Sequence, residues 1–255
     1  MLLSSYPILE FDDAPEALLE PARLIRPMDL PEHAVACFFQ EVLAGLVKYA
    51  GARVLCQLRS EIAKYPIYEL ELNGRLLTVF HPGAGAPLAA SFLEEVIALG
   101  CRKFIACGGA GVLESALALG HPIVVSAAVR DEGTSYHYLP PAREVEADPA
   151  GVAALEATLR ATKVEYLLGK TWTTDAVYRE TPEKIRRRRA EGCLTVEMEA
   201  AALFAVARFR GVHFGQLLYA GDDVGGEAWD ARQWDSDTSV REKLFWLAAE
   251  ACLRL

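Results

Sequence analysis

The sequence predicts an α/β protein with a mixed, largely parallel sheet in a single domain. Short apolar segments of strand length alternate with longer segments of helical periodicity. The segments 103–107 and 122–129 are apolar without interruption, as expected for parallel strands that are covered on both faces. Polar clusters follow the strand ends, where open α/β sheets bind their ligands. A chain of 255 residues is long enough for one such domain with a sizeable core.

Composition indicates a globular protein and argues against several classes of function. No stretch approaches the ~20 apolar residues that span a bilayer, so we expect no membrane association. The formal net charge of -9 disfavours binding to nucleic-acid polymers, because that binding depends on neutralising phosphates. The six cysteines lack Cys-x-x-Cys spacing and predict neither disulfides nor a zinc site. Together with an N-terminus that has no basic region, they favour a cytoplasmic protein.

The chain begins with a predicted arm, residues 1–30, in which four prolines separate acidic and apolar pieces. The remainder, residues 31–255, is predicted to form the α/β domain. Its first element is predicted to be a helix at 31–48, because apolar residues recur there at helical spacing and a proline stands at its start.

A hairpin and two glycine-rich loops follow. Alternating apolar segments flank Asn73-Gly74, which is a strong signal for a two-residue hairpin turn. The second segment leads into the glycine-rich loop 81–87 and a predicted helix at 88–99, a layout that places backbone N–H groups beside an anion. Residues 108–111 are predicted to form a second loop of this kind after the next strand. Tight turns also need glycine, so these loops alone are weak signals of a site.

Two further loops carry polar and aromatic side chains. The loop 130–140 holds an arginine, a histidine and two tyrosines, a combination that favours a site. The loop 170–178 is rich in threonine, and its Trp172 and Tyr178 either stack on a flat base or pack as ordinary half-buried residues. The remaining predicted elements are a helix at 149–161, a strand at 164–169, a helix at 182–191, a strand at 212–219 and a helix at 238–253.

Two carboxylates open a predicted helix that runs from Thr195 to Arg208. Glu197 and Glu199 flank Met198 at the start of this alanine-rich segment. Acids in a first turn suit the helix dipole, so electrostatic stabilisation of the N-terminus is one interpretation. The other is a ligand site, because a carboxylate between apolar neighbours needs partners, and two sugar hydroxyls can both donate to it.

The segment Val196–Phe204 resembles the ribose-binding helix of the nucleoside phosphorylase family, which includes uridine phosphorylases and hexameric purine nucleoside phosphorylases. The polar loop with two tyrosines is similar to the corresponding loop of uridine phosphorylases. The resemblance covers roughly residues 75–230 and implies a three-layer phosphorylase fold with a partly closed sheet. It also implies that Glu199 holds the two ribose hydroxyls, that Met198 packs on the sugar and that Glu197 is a supporting acid.

Base recognition is predicted at another strand end and in the threonine-rich loop. Asp222 and Asp223 are adjacent carboxylates, which either share a proton in a cleft or form an ordinary turn. The resemblance implies that Asp223 protonates the departing base, as in purine nucleoside phosphorylases, and Thr174 and Tyr178 are predicted to contact the base. The glutamine and arginine pair of uridine phosphorylases has no clear match, which leaves the identity of the base open.

The predicted phosphate site departs most from the family. The usual Gly-Asp-x-x-Arg loop does not occur in the sequence, and Ala106 and Gly109 stand where the family carries an arginine and a threonine. The predicted phosphate ligands are therefore Gly108, Gly109, Arg130 and Lys64. Lys64 would come from a neighbouring subunit, and the resemblance implies a homo-oligomer, either a dimer or a hexamer.

The first functional hypothesis is a nucleoside phosphorylase, a pentosyltransferase that converts a nucleoside and phosphate into free base and ribose 1-phosphate. Positive charge develops on the sugar in such a reaction, as in glycoside hydrolysis. Carboxylates near the sugar stabilise this charge. No metal and no organic cofactor is expected, and phosphate is the co-substrate. The lost arginine leaves two alternatives open: a nucleosidase that uses water, and a non-catalytic nucleoside-binding protein.

Overall fold

The computed structural model describes residues 4–234 and 238–255. Within these residues one sheet is formed by the strands β1 (His33–Cys37), β2 (Arg53–Arg59), β3 (Lys64–Leu72), β4 (Arg75–Phe80), β5 (Lys103–Val112), β6 (Pro122–Asp131), β7 (Glu144–Glu146), β8 (Leu167–Thr174), β9 (Cys193–Glu197) and β10 (His213–Asp223). The α-helices of the same residues are α1 (Pro21–Leu24), α2 (Gln40–Tyr49), α3 (Ala86–Leu99), α4 (Pro149–Ala161), α5 (Pro182–Ala190), α6 (Ala200–Arg210) and α7 (Thr238–Cys252). In this part of the chain, no helix combines the length and the apolar character that crossing a bilayer requires.

The sheet closes on itself at one end. Its strands follow the order β10-β6-β8-β9-β5-β1-β4-β3-β2, with β7 attached to β6, and β10 also pairs with β5. The strands β5, β6, β8, β9 and β10 therefore form a barrel-like ring, from which the other strands extend. Parallel pairs such as β1–β5 and β6–β8 occur beside antiparallel pairs such as β5–β9. The predicted mixed, partly closed sheet is confirmed.

Helices cover both faces of the sheet and complete three layers. On one face α3 packs against α6, and the core there includes Phe92, Leu203 and Phe214. On the other face α4 packs against α7, with Leu155 and Phe245 in the core. Burying each side chain of this size contributes about 1.5–3 kcal/mol, so these two apolar layers stabilise the packing of the helices on the sheet.

The predicted hairpin is confirmed, and its turn explains the two residues at its tip. β3 and β4 pair as far as Leu72 opposite Arg75. Between them Asn73 and Gly74 have φ angles of 54° and 73°, the left-handed pair that a type I′ turn requires. β2, which the sequence analysis does not predict, adds to this hairpin through β3 with an irregular register.

The prediction of one helix at 31–48 is wrong. β1 occupies His33–Cys37, and α2 begins only at Gln40. Every residue of β1 is buried, because the strand lies between β4 and β5 inside the sheet. A short apolar run fits a buried strand as well as a helix, and here the pairing on both edges decides.

The predicted arm lies against the helices of the first face. The backbone N–H of Met28 donates to the carbonyl of Leu99 at the end of α3, at 2.9 Å. Glu20 forms an ion pair with Arg210 at the end of α6, at 2.7 Å. These contacts attach the arm to the sheet layers, and the division of the chain into an arm and a domain stays a prediction.

Candidate active site

A gap in the sheet lies beside the last residues of β5. β1 pairs with β5 up to Cys107, whose carbonyl accepts the backbone N–H of Phe38 at 3.1 Å. β9 joins the same edge of β5 from Gly111 onward. Backbone groups point alternately to the two edges of a strand, so Gly109 faces the gap between these neighbours, whereas Gly108 faces β10. The backbone of Gly109 is thus positioned for a ligand.

The glycines of this region belong to β5, so the prediction of a second glycine-rich loop at 108–111 is wrong. A Cβ atom on Gly108 would lie 3.1 Å from the ring of Phe38, and one on Gly109 would lie 3.0 Å from the ring of Tyr219. Both glycines therefore allow an aromatic ring to approach the strand. They have a packing role in addition to any contact with an anion.

Glu197 ends β9 and caps the helix that follows. The prediction that this helix starts at Thr195 is wrong, because α6 begins at Ala200. One carboxylate oxygen of Glu197 accepts the backbone N–H groups of Glu199 at 2.7 Å and Ala200 at 2.6 Å. The other accepts the hydroxyl of Thr173 at 2.6 Å. Stabilisation of a helix N-terminus, one of the two interpretations of the acids, thus describes Glu197.

Glu199 is the acid with acceptor capacity left for a ligand. It is 8% exposed, and one carboxyl oxygen accepts the backbone N–H of Gly85 at 2.6 Å. Gly85 closes the glycine-rich loop that precedes α3 and has a φ of 83°, which favours glycine. A carboxylate offers about four acceptor positions, so hydroxyl donors can still bind to Glu199.

Burial raises the pKa of both acids, to about 7 for Glu197 and to about 8 for Glu199, and the charge of Glu197 further raises the pKa of Glu199. The hydrogen bonds from Thr173 and from two backbone N–H groups stabilise the ionised form of Glu197. These hydrogen bonds oppose the effect of burial at Glu197, whereas the charge of Glu197 adds to the effect of burial at Glu199.

Glu199 lines a cavity of about 230 Å³ at the gap in the sheet. The predicted residues Glu197, Gly108 and Gly109 line it too. Its other walls consist of Phe38, Phe39, Gln216, Leu218, Trp234 and Arg241. Sites that enclose a drug-sized ligand measure ~300–1,000 Å³, so this cavity is smaller than a site of that kind. Within the described parts of the chain, no cluster of three or more His, Cys, Asp or Glu side chains is arranged to hold a metal ion.

Sequence reasoning misses two polar residues of this cavity. Gln216 lies in the apolar strand β10, and Arg241 lies in α7, far along the chain from every motif. Gln216 is 1% exposed, and its Oε1 has no hydrogen-bond partner among the described residues. The available signal was the lone amide inside an apolar strand, because a buried amide needs partners.

Asp223 is occupied by groups of the protein itself. One oxygen accepts the backbone N–H of Gly225 at 2.8 Å and the hydroxyl of Ser115 at 3.1 Å. The other forms an ion pair with Arg232 at 2.7 Å. Asp223 does not belong to the lining of the cavity around Glu199, as far as the described residues show. Its role as the acid that protonates the base stays a prediction.

An acid with a raised pKa does lie near this strand end, but it is Glu180. Burial raises the pKa of Glu180 to about 7, and the charge of Asp222 adds to that effect. Asp222 itself accepts a hydrogen bond from the indole of Trp229 at 2.7 Å. Glu180 follows Tyr178 by two residues, so a carboxyl with a pKa near neutrality lies beside the segment that is predicted to contact the base.

Arg130 is buried within its own loop. Its guanidinium donates to the hydroxyl of Ser135 at 2.8 Å. It also donates to the carbonyls of Leu139 at 3.1 Å and Pro140 at 2.7 Å. The ring of Tyr136 lies 4.2 Å from the guanidinium carbon. These contacts order the polar loop, and they give no support to the predicted phosphate role of Arg130.

The remaining predicted site residues differ in exposure. Thr174 is buried at the end of β8, and its hydroxyl accepts the backbone N–H of Ala176 at 3.2 Å. Tyr178 is 96% exposed, and its contact with the base stays a prediction. Trp172 is fully buried, as expected of a packing residue. Lys64 is exposed at the start of β3, and its phosphate role stays a prediction.

A family model described as the phosphorylase superfamily matches residues 32–251. The chain belongs to the phosphorylase superfamily. The resemblance to nucleoside phosphorylases that the sequence motifs indicate is thereby confirmed.

Individual relatives are similar over most of the matched region. The guanosine phosphorylase of Halorubrum lacusprofundi is 30% identical over 188 residues, which cover 73% of this chain and 77% of that enzyme. The uridine phosphorylase of Thermococcus kodakarensis is 29% identical over 168 residues, which cover 60% of each chain. The crystal structure of uridine phosphorylase from Vibrio fischeri ES114 matches 92% of this chain and 98% of its own, with a TM-score of 0.76 and 23% identity. That last likeness concerns the fold alone.

Proposed function

We propose that this protein is a nucleoside phosphorylase, which transfers the pentose of a nucleoside from the base to phosphate. The observation that carries the proposal is the position of Glu199, which is buried in a small cavity beside the open edge of β5 and held there by Gly85. Membership of the superfamily supports it, as do relatives that are named guanosine and uridine phosphorylase.

Glu199 would bind the two sugar hydroxyls, with Met198 half-buried beside it and Glu197 fixing the turn between β9 and α6. As the bond from the sugar to the base breaks, positive charge develops on the sugar. A phosphate oxygen forms the new bond to the same carbon, and the electron pair of the old bond leaves with the base. The acids stabilise this charge when they are ionised, because a carboxylate close to the sugar attracts the positive charge that develops there.

The base would lie outside the cavity, towards the end of β10 at Asp223, the end of β8 at Thr174 and the turn that contains Tyr178. Asp223 forms an ion pair with Arg232 in the structure, so its contact with the base would require that this ion pair open. Glu180, whose pKa is raised to about 7, is a second acid of suitable protonation state in this region.

Incubation with a panel of nucleosides that includes guanosine and uridine, with and without phosphate, tests the proposal. We expect free base and ribose 1-phosphate to form only when phosphate is present. Base release at the same rate without phosphate would instead show a nucleosidase, and binding without turnover would show a nucleoside-binding protein. The missing arginine at Ala106 is the observation that keeps these two alternatives worth testing.

We further propose a cytoplasmic homo-oligomer that needs no metal and no organic cofactor. Lys64 is exposed on the β2–β3 hairpin, where a second copy of the chain can reach it. Sedimentation velocity would give the assembly, and activity after dialysis against a chelator would test the metal.

A further inference from the structure

Arg241 gives the cavity its positive charge, although it stands on a different element from the phosphate ligands that the sequence resemblance implies. It is the single cation among the described residues that line the cavity. Its Nη1 pairs with Glu41 at 2.6 Å, and its Nε donates to the hydroxyl of Tyr219 at 3.2 Å. The rings of Phe39 and Trp234 lie 5.3 Å and 5.1 Å from its guanidinium carbon. These contacts fix the planar donor group before a ligand arrives.

The ion pair with Glu41 orients Arg241 and leaves its charge effective inside the cavity. Glu41 stands on α2 with a side chain that is 38% exposed, and it is absent from the described lining of the cavity. Water screens an exposed partner of this kind, whereas an anion in the cavity would contact the guanidinium in a drier setting.

Gln216 is an independent sign that a polar ligand belongs in the cavity. It lies in the wall at 1% exposure, with an amide oxygen that has no partner among the described residues. In the sheet it pairs in register with Ala106, the position where the family carries its phosphate arginine. A hydrogen phosphate both donates and accepts, so it can satisfy the amide in either orientation.

We propose that Arg241 and Gln216, together with the backbone N–H of Gly109, hold the phosphate co-substrate in place of the family's arginine at the position of Ala106. The assignment rests on the phosphorolytic function proposed above. Because Glu199 lines the same cavity of about 230 Å³, a phosphate held there would lie close to a sugar bound to Glu199, which is the arrangement that attack on the sugar requires.

Steady-state kinetics with phosphate and nucleoside varied separately test the assignment. We expect Arg241→Ala to raise the KM for phosphate by about 10- to 100-fold, the loss typical of a charged hydrogen bond, while the KM for the nucleoside changes by less than about threefold. Arg160→Ala is the matched control, because it removes the same charge from an exposed ion pair on α4. Direct titration with inorganic phosphate gives a second readout that does not depend on turnover.

Gln216→Met keeps the test decisive if Arg241→Ala fails to fold. A thioether of similar length replaces an amide whose oxygen is unpaired, so we expect thermal stability to be kept or raised while the KM for phosphate rises by about threefold or more. An unchanged phosphate KM in whichever of the two variants folds would overturn the assignment, as would a rise confined to the nucleoside KM. If the wild-type protein releases base without phosphate, the proposed function itself is contradicted. If the wild-type protein needs phosphate and both substitutions leave its phosphate KM unchanged, only the assignment of the phosphate ligands is contradicted.

Discussion

Glu199 and Asp223 are both buried carboxylates at strand ends, but the protein treats them differently. Asp223 has an ion pair with Arg232 and two further donors. Glu199 receives a hydrogen bond from the backbone of Gly85, next to a charged neighbour and an open cavity. An acid whose partners come from the protein stabilises the fold, whereas an acid left short of partners is available to a ligand. These contacts therefore support the proposed binding of the sugar by Glu199 more strongly than they support the predicted proton transfer by Asp223.

The largest effect should come from Glu199→Ala. Two hydrogen bonds to an ionised carboxylate contribute about 1.5–3 kcal/mol each, so we expect kcat/KM measured above pH 8, where Glu199 is ionised, to fall by about 10²–10⁴-fold. The comparison breaks if the variant retains near-normal kinetics. Far-ultraviolet circular dichroism of the same preparation serves as the control for folding.

Asp223→Ala should act mainly on stability. It leaves Arg232 without its counter-charge and removes the acceptor of Gly225, which should lower the free energy of unfolding by about 1–3 kcal/mol in denaturant titrations. Glu199→Gln should lower it by much less, because few partners are lost. Equal losses of unfolding free energy in the two variants would contradict the distinction between Asp223, which stabilises the fold, and Glu199, which is available to bind a ligand.

The pH dependence of stability sharpens the same distinction. The folded-state pKa of Glu199 is raised from 4.5 to about 8, so its contribution to stability is fully present below about pH 4.5 and is lost as the pH rises through 8. Wild-type protein should therefore lose stability relative to Glu199→Gln between those values, as measured by thermal unfolding in a series of buffers. A difference between the two proteins that stays constant with pH would show that Glu199 is ionised throughout.

The smallest effect is expected for Tyr178→Ala. The side chain is 96% exposed, and we expect kcat/KM to change by less than about twofold. A loss of kcat/KM of tenfold or more in steady-state assays would show that the threonine-rich loop closes over the base and that Tyr178 contacts it, as the sequence predicts.

The sequence alone predicts the fold class, the hairpin and most helices of this protein, because periodicity and turn residues are local signals. It places the start of the helix at Thr195, whereas the helix begins at Ala200, whose backbone N–H donates to Glu197. The direction of the Glu197 carboxylate is fixed only in the folded sheet, so the sequence does not reveal this contact. It also assigns 31–48 to one helix, because β1 is buried on both faces and therefore shows no alternation of apolar and polar residues.

The candidate site is predicted in part. Glu197, Met198 and Glu199 form a compact motif, so the sequence identifies them together. Gln216 and Arg241 reach the same cavity from different elements, and nothing in their local sequence links them to the motif. The sequence predicts Arg130 as a phosphate ligand because it is a charged residue in a polar loop. In the structure its guanidinium donates to carbonyls of that loop.

The most direct test of the account compares a nucleoside substrate with its 2′-deoxy and 3′-deoxy analogues in wild-type protein and in Glu199→Ala. If Glu199 holds the sugar hydroxyls, the wild-type protein should prefer the full ribose in kcat/KM, by about tenfold or more for each hydroxyl, and the variant should lose most of that preference. If the variant discriminates against the deoxy analogues as strongly as the wild-type protein does, the hydroxyls bind elsewhere and the central assignment is contradicted.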